Sequence, residues 1–184
     1  LAWLERERGN LILTARVALE AGHPQLSWSV ADALWPLLLY HKHYRNRIEI
    51  DECGVRAALA WGNPAAHADM LKRLGRARSK TGEYELAERH TRTAIDRYAE
   101  IGDERGRADA EESLALLYRD TGREDLAVEM FVRVVEANRS LGQSRSIALS
   151  CLNLGMSLTR VGRPAEAVPL LLEAGDLLAG LADI

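Results

Sequence analysis

Aromatic residues are scarce in this chain. Only 5% of its 184 residues are Phe, Trp or Tyr, and there is one Phe. A core of stacked rings is excluded, and the apolar mass falls to Leu and Ala, both strong helix formers. Val and Ile are scattered and do not alternate with polar residues, so no window reads as a strand. Cysteine is equally rare. Cys53 and Cys151 stand far apart, outside any CxxC or Cys/His spacing, which removes a disulfide framework and a thiolate metal site. Two such thiols fit a reducing compartment, so the expected location is the cytoplasm. No run of about 18 apolar residues occurs, and no secretory leader is evident, so no membrane role is expected. An excess of charge of one sign is also missing. The net charge of −3 supplies no positive field for direct nucleic-acid binding. There is no Gly-rich phosphate loop after a strand, no Ser/His/Asp arrangement and no paired-carboxylate motif. The chain is therefore not expected to be an enzyme, or to carry a cofactor or metal. Beginning at Leu1 rather than Met, it is expected to be a piece of a longer protein.

What the sequence does have is a period. Gly82, Gly122 and Gly162 follow short polar stretches and are spaced by 40. Gly62, Gly102 and Gly142 keep the same spacing, as do the small residues Gly75, Ala115 and Gly155 and the alanines Ala87, Ala127 and Ala167. Such phasing marks a repeat architecture. Within a unit, Met70, Leu71, Leu74 and Ala77 recur at helical spacing, and Gly82 stops that helix by accepting a left-handed backbone. A second helix carries Leu86, Ala87, Ala94, Ile95 and Tyr98 and ends at Gly102. The small residues predict close helix pairs. Gly75 and Gly155 sit mid-helix at a cost of about 0.5–1 kcal/mol relative to Ala, which calls for a packing reason. Pro164 suits a first helical turn, whereas Pro36 and Pro169 fall inside helices and are expected to bend them.

Three units carry a recognisable pattern. The first has Leu71, Leu74, Gly75 and Arg78 with Ala87, Thr91 and Ala94. The second has Glu111, Leu114, Ala115 and Tyr118 with Ala127, Phe131 and Val134. The third has Cys151, Leu154, Gly155 and Leu158 with Ala167, Leu171 and Ala174. They resemble the tetratricopeptide repeat (TPR), W-x2-L-G-x2-Y followed by A-x3-F, whose usual period is about 34 residues. The departures are the missing Trp, the longer period, and Arg78 and Thr91. The resemblance implies an all-α, right-handed superhelical solenoid of antiparallel helix pairs. The expected layout is a lead-in helix over 1–24, a degenerate repeat over 25–63, and repeats over 64–104, 105–144 and 145–184, followed by more chain. The opening segment, through Trp3, Leu4, Glu5, Glu7, Asn10 and Leu11, then Glu20, Ala21, Gly22, Leu34, Trp35 and Pro36, is similar to the start of the repeat region in bacterial SARP-type and STAND (NB-ARC) ATPase transcriptional regulators.

In that family the first helix of each pair lines the binding face. The positions this implies are Lys72, Arg76 and Lys80, then Glu112, Leu116 and Arg119, then Leu152, Met156 and Arg160. Asp69, Asp109, Asp120, Leu149 and Thr159 stand beside them, and the degenerate unit supplies Ser29, Asp32, Leu39 and Tyr40. Lys72, Arg76 and Lys80 fall at i, i+4, i+8, which reads either as a seat for an acidic peptide or as a solvated face. A clamp for a C-terminal carboxylate is poorly matched, with Asn153 the main hint. The expected partners are a protein or peptide, acidic if the stripe is its seat, and neighbouring domains of the parent chain. A homodimer through the Leu-rich C-terminal segment stays open, as does a purely structural scaffold. Trp3, Trp28, Trp35 and Trp61 read as a core or as a docking face. His41 and His43, taken as helical, would point about 200° apart and could not share an ion.

Overall fold

A computed structural model of the chain describes residues 2–182. Among them every regular element is an α-helix: α1 (Ala2–Glu20), α2 (Pro24–Tyr40), α3 (Tyr44–Trp61), α4 (Pro64–Lys80), α5 (Tyr84–Glu100), α6 (Glu104–Asp120), α7 (Glu124–Leu141), α8 (Ser144–Arg160) and α9 (Pro164–Ala182). The expected lead-in and last repeat extend to residues 1, 183 and 184, which lie outside the described residues.

From α2 onward a helix begins every 20 residues, at 24, 44, 64 and so on to 164. One turn causes this. After each of the first eight helices a residue with positive φ reverses the chain: Gly22, Lys42, Gly62, Gly82, Gly102, Gly122, Gly142 and Gly162. In most of these turns the next residue donates its N–H to the carbonyl five positions back, as His23 does to Ala18 at 2.8 Å, Glu83 to Arg78 at 3.0 Å and Arg163 to Leu158 at 2.8 Å. This is the Schellman closure, which satisfies carbonyls that a helix end leaves open. The 40-residue unit of the sequence is two such beats. His41, Lys42 and His43 form one of the turns. They are not helical, and Lys42 (φ 57°) is the single non-glycine residue with positive φ among those described.

Helix starts use the complementary devices. Pro24, Pro64 and Pro164 open α2, α4 and α9, where a missing N–H costs nothing. Asn63 Oδ1 accepts from the Ala66 N–H at 3.0 Å, and Asp103 Oδ1 from the Gly106 N–H at 2.8 Å, each a cap worth about 1 kcal/mol. The helices α2 and α9 continue through Pro36 and Pro169.

The described chain divides into two compact units, α1–α5 and α6–α9. In the first, consecutive helices pack on one another and α1 also reaches α3; the short turns make neighbours antiparallel. Ile12 and Ala15 of α1, Leu34 and Leu38 of α2, Ile50 and Cys53 of α3 and Met70 of α4 form a buried cluster. A Cβ on Gly54 would fall 2.7 Å from Met70 Sδ and 3.2 Å from Ala31 Cβ, so α2, α3 and α4 meet at a residue with no side chain. The tryptophans do not form one cluster. Trp28 and Trp61 pair with ring centroids 5.4 Å apart, and Trp3 is exposed.

In the second unit α6, α7, α8 and α9 pack in sequence order. Phe131 and Val134 of α7 are enclosed, and Leu114, Ala115 and Tyr118 of α6 and Ala148, Cys151 and Leu154 of α8 are buried as well. Each large apolar side chain buried in this way contributes about 1.5–3 kcal/mol.

The two mid-helix glycines differ in what they admit. A Cβ on Gly75 would meet Thr91 Oγ1 and lie 3.1 Å from the Ala87 carbonyl oxygen of α5, while one on Gly155 would meet the end of the Leu171 side chain at 2.7 Å. Leu171 is at the surface and can rotate; the α5 backbone cannot. Gly75→Ala should therefore lower stability by about 1–2 kcal/mol despite the better helix propensity of Ala, and Gly155→Ala should be close to neutral. Equal urea midpoints for the two variants would refute this difference. At the strained turn the sign reverses. Lys42→Gly should raise stability by about 0.5–1 kcal/mol, because relief of the left-handed penalty exceeds the entropy that glycine adds to the unfolded chain; a lowered melting temperature would contradict it.

Candidate functional site

In the first unit, the first helices α2 and α4 are tied by polar contacts along the side that carries the expected binding positions. Arg73 is the centre. Its Nη1 lies 2.8 Å from Asp32 Oδ1 and its Nη2 2.5 Å from Asp69 Oδ2, and the guanidinium stands 5.0 Å from the Trp35 ring. Arg47 of α3 donates to the Arg73 carbonyl at 3.1 Å. The expected basic stripe is not a uniform surface. Lys72 is only 9% exposed. Its Nζ lies 3.1 Å from Asp69 Oδ1 and 5.6 Å from the Tyr98 ring centre, so packing between α4 and α5 draws it inward. Arg76 is half-buried and Lys80 is exposed. Ser29, Leu39 and Tyr40 are exposed on α2, and Asp32 is bound to Arg73.

In the second unit, Asn153 joins α8 to α6. Its Nδ2 donates to Glu112 Oε1 at 3.0 Å, and its Oδ1 accepts from Arg119 Nη1 at 3.2 Å. Arg119 also lies 5.7 Å from the Phe131 ring centre. Glu112, Leu116 and Arg119 are half-buried. Arg160 is exposed and reaches Glu124 at 2.6 Å. Beyond these contacts, Leu149, Leu152 and Met156 form an apolar strip on α8, exposed by 41%, 37% and 47%. Two of these ties share one phase: Asp32–Arg73 and Glu112–Asn153 each link residues 41 apart. Arg73 and Asn153 were not among the committed binding positions; their common place in the 40-residue phase, one residue after Lys72 and Leu152, was the signal that could have found them.

The most perturbed acid is Asp51 of α3. Both its carboxylate oxygens are buried without a hydrogen bond, and Arg47 Nε stands 3.5 Å away in poor alignment. Burial pushes its pKa up to about 7, against the opposing pull of Arg47 and Arg73. The same burial draws Arg47 below the usual guanidinium range. The pair braces α3 against α4 through the Arg73 carbonyl and has no opening to a substrate. Among the described residues no helix is long and apolar enough to cross a membrane.

Residues 66–140 and 147–174 match family models described as tetratricopeptide repeat. The chain carries tetratricopeptide repeats. Solved structures agree at the level of the fold. BtubC (BKLC) from P. vanneervenii superposes with a TM-score of 0.79 at 18% identity, over 100% of this chain and 79% of that one. MamA gives 0.68 at 18% identity, over 98% and 95% of the two chains. YrrB, described as a TPR protein with an unusual peptide-binding site, gives 0.56 at 17% identity, over 96% and 92%. Comparison with curated proteins finds no relative. TPR segments are in general interaction modules, and the helices described here place side chains for packing and contact.

Asp51 makes the TPR packing around α3 sensitive to pH. An acid with its folded pKa above its unfolded value stabilises the fold while protonated; that contribution is whole below about pH 4 and is lost as pH rises through about 7. Asp51→Asn removes the dependence. Relative to wild type, it should be more favourable at pH 8 than at pH 5 by on the order of 2 kcal/mol. Urea melts at the two pH values measure this, and the same difference at both would refute a raised Asp51.

Proposed function

We propose that the chain is a non-catalytic module that binds a peptide or protein segment along the first helices of its repeats, laid out as a degenerate repeat over 25–63 and repeats over 64–104, 105–144 and 145–184. The observation that carries this reading is the strip Leu149, Leu152 and Met156 on α8. Its three apolar side chains recur at helical spacing beside the Glu112–Asn153–Arg119 contacts. Apolar anchors with a polar margin are the usual anatomy of a peptide seat. Basic side chains at Arg76, Lys80, Arg119 and Arg160 suit an acidic residue in the ligand, with Lys72 contributing charge from a buried position. The name of the YrrB structure supports peptide binding by this fold. The similarity of residues 3–36 to bacterial regulators supports a wider setting: the sensor or interaction part of a cytoplasmic transcriptional regulator, with neighbouring domains as further partners.

A second reading, a scaffold that associates with its own copy, is favoured by one observation. Val168 and Leu171 of α9 stand in the phase of Val128 and Phe131 of α7. Those two are buried, and the α9 pair is exposed together with Leu172 and Leu178.

Panning a random peptide library on the chain separates the two readings. Selected peptides should lose at least about tenfold in affinity for the variant Leu152→Asp/Met156→Asp, roughly 1.4 kcal/mol. The mass by light scattering should stay monomeric. Peptides that bind both proteins equally would exclude the α8 seat, and a concentration-dependent dimer abolished by Leu172→Asp would favour the scaffold.

A further inference from the structure

The turn that closes these helices brings together the side chains on either side of its left-handed residue. In the Gly82 turn Thr81 Oγ1 donates to Glu83 Oε1 at 2.9 Å; in the Gly122 turn Arg123 Nε donates to Thr121 Oγ1 at 3.0 Å. In the turn between α2 and α3 these two places hold His41 and His43. Their rings stack, with centroids 5.9 Å apart and planes 16° from parallel. The opposed geometry expected of helical residues does not apply, because Lys42 takes the left-handed conformation between them. The first helix adds a carboxylate: Glu5 Oε1 lies 2.7 Å from His43 Nε2. One donor atom from each of Glu5, His41 and His43 lies within 4.8 Å of the others.

We propose that Glu5, His41 and His43 form a binding site for a divalent transition-metal ion of the Zn2+ class. Two imidazoles and one carboxylate are a donor set that borderline cations prefer over Mg2+ or Ca2+. Three protein ligands leave a fourth position to water. With bonds of about 2.1 Å, tetrahedral ligand atoms stand about 3.4 Å apart, so the three atoms need to close by roughly 1 Å. His41 is exposed and His43 half-buried, which leaves both rings room to turn.

The site already holds a positive group. Arg8, one turn along α1, pairs with Glu5 and stands 2.7 Å from His43 Nε2 through Nη1. Its guanidinium bridges two of the three ligands, so a metal ion must displace it. Its side chain is 26% exposed and can swing into solvent. Arg8 is thus a built-in competitor that lowers affinity without being a ligand. The ion would clip α1 to the α2–α3 turn, joining positions 38 apart in sequence.

The test is calorimetric titration of the intact chain with Zn2+ alone at pH 7.5, against a chelator of known affinity. One ion per chain should bind in the micromolar range. His41→Ala and His43→Ala should each weaken binding at least about tenfold, and Arg8→Ala should strengthen it several-fold. The double variant Cys53→Ser/Cys151→Ser should bind as wild type does. Zn2+ should raise the melting temperature of wild type but not of His41→Ala, whose helical circular dichroism checks the fold. Absence of binding, binding that survives His41→Ala unchanged, or loss of binding in Arg8→Ala would each overturn the proposal.

Discussion

The left-handed turn is the constraint on which the rest depends. A helix must stop with its last carbonyls satisfied, and it must stop at the same length each time for its face to meet its neighbour in register. One residue with positive φ, followed by an N–H that reaches five positions back, does both. Because the turn recurs every 20 residues, an apolar position on one helix finds its equivalent on the next but one. The repeated core of Ala87, Ala127 and Ala167, all buried, follows from that regularity. Glycine meets the backbone demand at seven of the eight turns, and lysine meets it under strain at the eighth. That exception places two imidazoles side by side.

Close approach is the second consequence. Helices of fixed length joined by short turns lie antiparallel, and the gap between them depends on the smallest residues at the crossing. Gly75 against Ala87 and Thr91, and Gly54 against Met70 and Ala31, let large side chains or backbone occupy the space a Cβ would fill. This is why so few aromatic residues suffice. The core is filled by Leu, Ala and Met at short range, with Phe131 as the one enclosed Phe. The same economy of space explains Asp51 and Arg47. Where α3 meets α4 two ionisable groups are sealed off with imperfect alignment, and desolvation outweighs their attraction.

The fold was legible because its signal is periodic. Gly82, Gly122 and Gly162, with the small residues at 75, 115 and 155, mark a helical repeat without any knowledge of contacts. Lys42 was not legible, since nothing in a lysine announces positive φ; only its place on the 20-residue beat does, and the 40-residue period hides that beat in the degenerate unit. The arrangement of His41 and His43 followed Lys42 into error. The binding positions were legible in part. Leu152 and Met156 are exposed as the resemblance implied. Lys72 is not, because its environment is set by Asp69 and Tyr98, one on its own helix and one 26 residues on. A charge at helical spacing says which face a residue occupies, and says nothing of whether a tyrosine from the next helix closes over it.

The distribution of polar contacts bears on where a ligand would sit. On the first helices, one phase is spent on holding neighbours together: Asp32 with Arg73 in one unit, Glu112 with Asn153 in the other. Groups so engaged resist exchange for a ligand, since breaking a partly buried charge-assisted contact leaves its partner unsatisfied. Side chains that gain most from a ligand are those with apolar surface still in water. On α8 these are Leu149, Leu152 and Met156, and the polar tie through Asn153 lies within the same turns of helix. A peptide laid there would remove apolar area from water without disturbing the contacts that set the helix spacing. That separation of tasks, polar groups for register and apolar groups for recognition, favours the α8 strip over the basic stripe of α4, where Lys72 already belongs to the packing.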